Sequence, residues 1–249
     1  MRIEIWSDIA CPWCYIGKRR FETALDGFAH KDDIEVEWRS YQLDPSLPDH
    51  YAGTETEYLS QAKGMPVEQV RQMFDHVTQQ AAGEGLDYDF DSIVVANSFT
   101  AHRLLHLANT HGVMSQAKEE LLSGHFEKGR NIGDLEYLAE VAQTVGIDAD
   151  EARRVLSTDE YTTEVESDIT EAQSLGANGV PFFVIDRRYA ISGAQPPEAF
   201  TKALETAWSE SQKLTVLGGA GSGADSPASG KGGDETFRDG AVCGPEGCD

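Results

Sequence analysis

A short apolar segment that runs straight into Cys11-Pro12-Trp13-Cys14, with a helical pattern opening at the motif, constrains this chain more than any other feature. Arg2 to Ile9 carries Ile3, Ile5 and Ile9 and reads as a buried strand. Ile16, Phe21, Leu25 and Phe28 then recur at helical spacing. Such a strand-to-helix join puts the first cysteine where unpaired N–H groups and the helix dipole favour negative charge. Cys11 is therefore expected to be an exposed nucleophile with a lowered pKa. Cys14, one turn deeper, is expected to be the buried resolving thiol. Pro12 suits the first helical position, and Trp13 is expected to offer a flat apolar surface for a docking partner.

The rest of the chain supplies a frame for this join. Ile34 to Ser40 alternates apolar and polar residues, a second strand, so the opening reads β-α-β. Tyr41 to Tyr51, with Pro45 and Pro48, is loop. Helical spacing then predicts segments at 55–63, 66–83, 97–111, 115–128, 134–145, 149–157 and 159–176. Gly64, Gly85, Gly112, Gly129 and Gly146 punctuate them, and Leu86 to Val95 reads as an irregular connection. Val180 to Ile185 and Tyr189 to Gly193 are strands joined by a turn at 186–188, and Pro196 to Ser209 is a closing helix. The expected organisation is a β-α-β half at 1–50, an all-helical insertion at 51–177, a β-β-α half at 178–212, and a flexible Gly-, Ser- and Asp-rich tail at 213–249.

Composition narrows the functional classes. The 249 residues carry 20 Lys and Arg against 43 Asp and Glu, a formal charge of −23. Such a surface repels phosphate backbones, which argues against nucleic acid as a partner. No run approaches the roughly 18 apolar residues of a membrane span. Met1 to Trp6 already reads as strand, with no apolar leader, so the cytoplasm is the expected location. Paired cysteines there are catalytic or metal-binding more often than structural.

Three readings of the motif compete: dithiol chemistry, a metal site and two incidental core cysteines. Dithiol chemistry needs only Cys11 and Cys14. Zinc needs two further ligands, and only the Cys243-Gly-Pro-Glu-Gly-Cys248 pair could complete a four-cysteine set, at the wrong spacing. No metal is expected. Gly179-Val180-Pro181 is the second signal: proline opening a strand after a long helix is explained by a cis bond, or else by an ordinary strand start. Beside a Cys-x-x-Cys turn, a cis bond keeps one backbone edge at Val180 and Pro181 free for an extended substrate.

Taken together, the strand, Cys-Pro-Trp-Cys, the long helical insertion, Gly179-Val180-Pro181-Phe182-Phe183 and Ile191-Ser192-Gly193-Ala194-Gln195-Pro196 resemble the DsbA family of the thioredoxin superfamily, and within it the FrnE-like proteins. The resemblance covers about residues 1–210. It implies an α/β, thioredoxin-like fold with a large helical insertion, a cis bond at Val180-Pro181, and thiol–disulfide exchange on protein or low-molecular-weight substrates. No cofactor is implied, with glutathione a candidate redox partner. The similar 2-hydroxychromene-2-carboxylate isomerases and kappa-class glutathione transferases carry serine where this chain has Cys11, which counts against a glutathione-dependent isomerase or transferase. A redox or metal sensor switched by the tail pair is the other alternative.

Secondary candidates follow. Asp8 can relay a proton from Cys14, cap the following helix or bind the turn's backbone. Asn97 and His102 lie in a region that faces the substrate groove in the similar isomerases, and the plainer alternative is a polar helix start. The tail pair Cys243 and Cys248 flanks a turn-forming stretch, and a flexible tether would raise its effective concentration at Cys11. The pair is expected to act as an accessory dithiol, the alternatives being a tail-local disulfide, a weak metal clip or a terminus without function. Oligomeric state is not legible.

Overall fold

The computed structural model describes residues 1–48, 51–211, 243–244 and 247–248. Its main sheet has four strands in the order β2-β1-β3-β4. β1 (Arg2–Ser7) runs parallel to β2 (Glu35–Ser40), with α1 (Pro12–Asp26) between them in sequence. β3 (Phe182–Ile185) pairs antiparallel with β1, and β4 (Tyr189–Ser192) completes a hairpin with it. β1 is thus central, which is why five of its six residues are buried. This is the thioredoxin-like α/β architecture, with α9 (Pro197–Ser211) closing the chain's second half.

Among the described residues, seven helices lie between β2 and β3: α2 (Glu55–Lys63), α3 (Val67–Gly83), α4 (Phe99–Thr110), α5 (Met114–Phe126), α6 (Leu135–Thr144), α7 (Ala149–Leu156) and α8 (Thr162–Ser174). Their ends obey local chemistry. Thr54 and Glu57 form a reciprocal capping box at α2, and Asp134 and Asp148 each accept two N–H bonds at the starts of α6 and α7. Gly64 ends α2 in the left-handed region that glycine tolerates. Residues 86–95 form an irregular connection, tied down where the Asp89 N–H donates to the Phe126 carbonyl and where Phe90 stacks on Phe74.

Boundaries differ from the sequence pattern by a few residues, for visible reasons. The first strand ends at Ser7 rather than Ile9 because the Asp8 carboxylate takes the Ala10 N–H and turns the chain. α4 starts at Phe99 because the Asn97 side chain accepts the Phe99 N–H. α8 starts at Thr162 because Tyr161 adopts a φ of 66°.

Two apolar cores result. The larger joins Ile3, Ile5, Phe21, Phe183 and Phe200 to insertion residues such as Leu104, Leu121 and Leu138. The other gathers Trp6, Cys11, Cys14, Tyr15, Val180 and Phe182 with Val77, Tyr88, Leu122 and Phe126. The cysteine pair therefore lies in the seam where insertion meets sheet. Asp168 of α8 fastens that seam at the free edge of β2, accepting the Ser40 N–H at 2.8 Å and an Arg39 N–H at 3.1 Å. The Trp6 indole donates to the Asp168 carbonyl.

The expected flexible tail lies outside the described residues. Within it only β5 (Cys243–Gly244) and β6 (Gly247–Cys248) are described, an antiparallel ladder that pairs Cys243 with Cys248. Among the described residues no helix is long and apolar enough to cross a membrane.

Candidate functional site

Cys11 is the N-cap of α1, in extended backbone geometry, and Pro12 opens the helix. The Cys14 N–H returns to the Cys11 carbonyl at 3.0 Å, so the two thiols sit one turn apart. Both are unpaired. The Cys11 thiol donates to the Val180 carbonyl at 3.6 Å, and the Val180-Pro181 peptide bond is cis. The Pro181 carbonyl accepts from the Gly193 N–H at 2.8 Å, which holds the proline against β4. Tyr88 donates to the Pro12 carbonyl at 2.7 Å and stacks on Tyr15 and Phe126, bracing the turn from the insertion side.

Two expectations about this turn need correction. Cys11 is wholly buried rather than exposed. Burial, the neighbouring Cys14 and the Asp8 charge push its thiol well above the ordinary range, so desolvation and a nearby anion outweigh the helix N-terminus. Trp13 is also buried, with its ring 6.1 Å from that of His76 on α3. It packs inside the seam and offers no free face to a partner.

Asp8 is buried behind the turn. Its carboxylate accepts the Leu43 N–H at 2.7 Å, the Ala10 N–H at 3.2 Å, and a bond from His102 Nε2 at 3.2 Å. Burial opposes its charge, but these donors hold it below the usual carboxylate range. Burial lowers His102 as well, so a neutral imidazole donates through Nε2 to an ionised carboxylate. Asp8 makes no side-chain cap on α1. His102 is wholly buried and partners Asp8, which replaces its expected place in a groove. Asn97 accepts from the Gln42 side chain and donates to the Leu47 carbonyl, tying the loop after β2 to the start of α4. It does not reach the cysteines.

A cavity of about 370 Å³ lies against Asp8, Ala10 and Pro12, with apolar walls from Leu47, Phe74 and Phe90. Burial pushes the carboxyl of Glu55, on its rim, up to about 7. Among the described residues no cluster of three or more His, Cys, Asp or Glu is placed to hold a metal ion. The tail pair's position relative to the turn falls outside the described residues.

Sequence reasoning missed Lys118 and Tyr88. Lys118 lies fully buried on α5, and a signal was available: it occupies the apolar stripe Met114, Lys118, Leu122, Phe126 at four-residue spacing. Gly17 was also missed. A Cβ there would meet Pro181 Cγ at 2.8 Å and the Ala194 backbone at 3.5 Å, so only glycine lets α1 lie this close to the proline. Gly17→Ala is expected to cost about 2 kcal/mol of overpacking, lowering Tm by roughly 4–8 °C, and to slow thiol exchange as the turn shifts. Thermal melts and turnover check it; a variant equal to wild type in both would refute this account of Gly17.

This arrangement of dithiol turn, facing proline loop and helical insertion has counterparts among known proteins. The DSBA-like thioredoxin domain matches residues 2–205. A probable DsbA oxidoreductase from Streptomyces coelicolor is 42% identical, with a TM-score of 0.83, covering 100% of this chain and 98% of that one. The Bacillus subtilis protein YwbO is 27% identical over 210 residues, which are 82% of this chain and 96% of YwbO. The cytosolic disulfide reductase DsbM from Pseudomonas aeruginosa, solved with GSH, shares the fold at 17% identity and a TM-score of 0.60, covering 84% of this chain and 100% of that one. Because the domain match takes in the cysteine turn, the insertion and the closing strands together, the chain belongs to the DSBA-like thioredoxin domain family, as an oxidoreductase-type enzyme.

Proposed function

We propose that the chain catalyses thiol–disulfide exchange through Cys11 and Cys14 on protein or low-molecular-weight disulfides. The observation that carries this reading is the position of Cys11 at the N-cap of α1, with its sulfur 3.6 Å from the Val180 carbonyl and Cys14 one turn behind. A substrate disulfide seated along the Val180 edge would present a sulfur to Cys11. The Cys11 thiolate attacks it, one substrate sulfur leaves as thiolate, and a mixed disulfide forms. Cys14 then attacks Cys11, releasing the second substrate sulfur and leaving the Cys11–Cys14 disulfide. Run backwards, the same steps oxidise a substrate dithiol. The burial of both thiols implies that substrate docking opens the seam between α3 and the turn. The cytoplasm is the compartment this chemistry suits, since paired cysteines persist there as catalytic groups.

Reduction of insulin disulfides with dithiothreitol as donor tests the reading. Turnover above the uncatalysed rate is expected, and its absence from the wild type would remove the assignment. The tail supplies an accessory step in this scheme. Residues directly opposed in an antiparallel ladder have Cα atoms about 4.5–5.5 Å apart, within disulfide range, and Cys243 opposes Cys248. When the pair runs in the direction that oxidises a substrate dithiol, the tail disulfide would accept the two electrons of the reduced Cys11–Cys14 pair and restore its disulfide. A variant with both tail cysteines changed to serine should reoxidise its Cys11–Cys14 pair several-fold more slowly; reoxidation and turnover at the wild-type rate would show the tail has no such part.

A further inference from the structure

Three cations are buried among the described residues: Lys18, Arg103 and Lys118. Lys18 is matched by Glu22 and Glu119, and Arg103 is bound to the carbonyls of Val155, Leu156, Thr158 and Glu160. Lys118 differs. It has no solvent exposure, and its Nζ has no hydrogen-bond partner among the described residues. The Trp38 ring lies beneath it, with the centroid 5.2 Å from Nζ. An ammonium removed from water without a partner is costly, so something nearby must offset it.

The surroundings supply the candidate. The α5 stripe that carries Lys118 continues into Leu122 and Phe126, which share one apolar core with Cys11 and Cys14. The charged and titratable groups whose fields reach Nζ are Cys14, Asp8 and Cys11, which favour its charge, and Lys18 and His102, which oppose it. Burial pulls the lysine down to about 8. Without Lys118, a thiolate at this turn would form in a dry seam beside the Asp8 carboxylate, anion against anion.

From this juxtaposition we infer that Lys118 is a positioning residue for the exchange reaction, its ammonium serving as the counter-charge for the thiolate formed at the Cys11–Cys14 pair. The inference rests on the thiol-exchange reading above and adds to it that the helical insertion, not the sheet, sets the redox poise. In the resolving step the Cys14 thiol gives its proton to a solvent base. Its sulfur attacks Cys11 of the mixed disulfide, forming the Cys11–Cys14 bond. The bond from Cys11 to the substrate sulfur breaks, and the electron pair leaves on that sulfur, which takes up a proton. The pair loses two electrons and the substrate disulfide gains them. Lys118 is unchanged, but it stabilises the thiolate-bearing states, and these belong only to the reduced protein. It therefore makes the couple more oxidising.

Lys118→Met keeps the volume and removes the charge, while Lys118→Arg keeps the charge. The pH dependence of iodoacetamide alkylation of the reduced protein reads thiolate formation, and equilibration with dithiothreitol reads the potential. Lys118→Met should raise the alkylation midpoint by about one pH unit. It should also lower the equilibrium constant for oxidising dithiothreitol about tenfold, roughly 30 mV, with Lys118→Arg close to wild type. In the wild type, the Lys118 ammonium should titrate at lower pH in the oxidised protein than in the reduced one, because coupling is reciprocal. An unchanged midpoint and potential in Lys118→Met would overturn the inference. Should that variant not fold, identical Lys118 titration in both redox states would do the same. Insulin turnover separates the two claims: turnover with no Lys118 effect sinks only this inference, and a Lys118 effect without turnover sinks only the exchange reading.

Discussion

Cys11→Ser is expected to lose disulfide-reducing turnover by roughly 10³-fold or more, the scale set by removing a nucleophile from its unit. A serine hydroxyl in the same seam has no accessible anion near neutral pH, and oxygen cannot form the exchangeable bond to sulfur. Cys14→Ser should behave differently. Cys11 remains able to attack, but nothing behind it can resolve the product, so a covalent complex with substrate accumulates and is released by dithiothreitol. Intact-mass measurement separates the two: an adduct on Cys14→Ser and none on Cys11→Ser. If Cys11→Ser keeps turnover within tenfold of wild type, or if the adduct forms on the wrong variant, the assigned order of attack is wrong. The asymmetry follows from geometry, because only Cys11 occupies the N-cap and faces the Val180 carbonyl.

The features legible in sequence were those with local causes. The strand periods, the helical spacing and the glycines at helix ends all act within a turn or two of themselves, and the elements appear where these signals stand. The cysteine turn was legible for the same reason. Long-range cover was not. Cys11 and Trp13 read as exposed because α3, which packs His76 against Trp13, is remote in the chain. Asp8 offered three local readings, relay, cap or a bond to the turn's backbone; the last is met at the Ala10 N–H, whereas its side-chain partner His102 lies 94 positions away. The lowered thiol pKa expected from a helix N-terminus failed on the same ground, since burial is a property of the assembled seam and not of the turn.

That the insertion supplies so much of the site's environment explains a pattern in the structure. Tyr88 and His102 come from the helical insertion, yet each bonds to the β1–α1 join, and Lys118 of α5 lies over the Trp38 ring with its charge favoured by Cys14, Asp8 and Cys11. Glu119 of α5 adds the same linkage further out, accepting from Tyr15, Lys18 and Arg19 of α1, and these partners hold its carboxyl down at about 2 against the opposing effect of burial. The sheet-bearing half carries the sulfurs, and the insertion sets the dielectric and the charges around them.

Asp168→Ala is expected to be the most destabilising change at the seam between the two. Its carboxylate satisfies the N–H of Ser40, a wholly buried residue on the edge strand, and pairs with Arg39 and with His106 at 3.2 Å. Alanine removes all three at once. It leaves a buried backbone donor without an acceptor and a half-buried guanidinium short of a partner, and it reopens the β2 edge that α8 covers. The cost should be about 3 kcal/mol, or roughly 6–12 °C in Tm for a chain of this size. Asp168→Asn, which keeps one acceptor, should fall between alanine and wild type. The Trp6 bond uses the Asp168 carbonyl and survives both changes, so loss of α8 docking should be partial rather than complete. Urea unfolding with the two variants in parallel decides the matter: an alanine variant within about 0.5 kcal/mol of wild type, the range of an ordinary surface change, would mean that α8 is held by apolar contact alone.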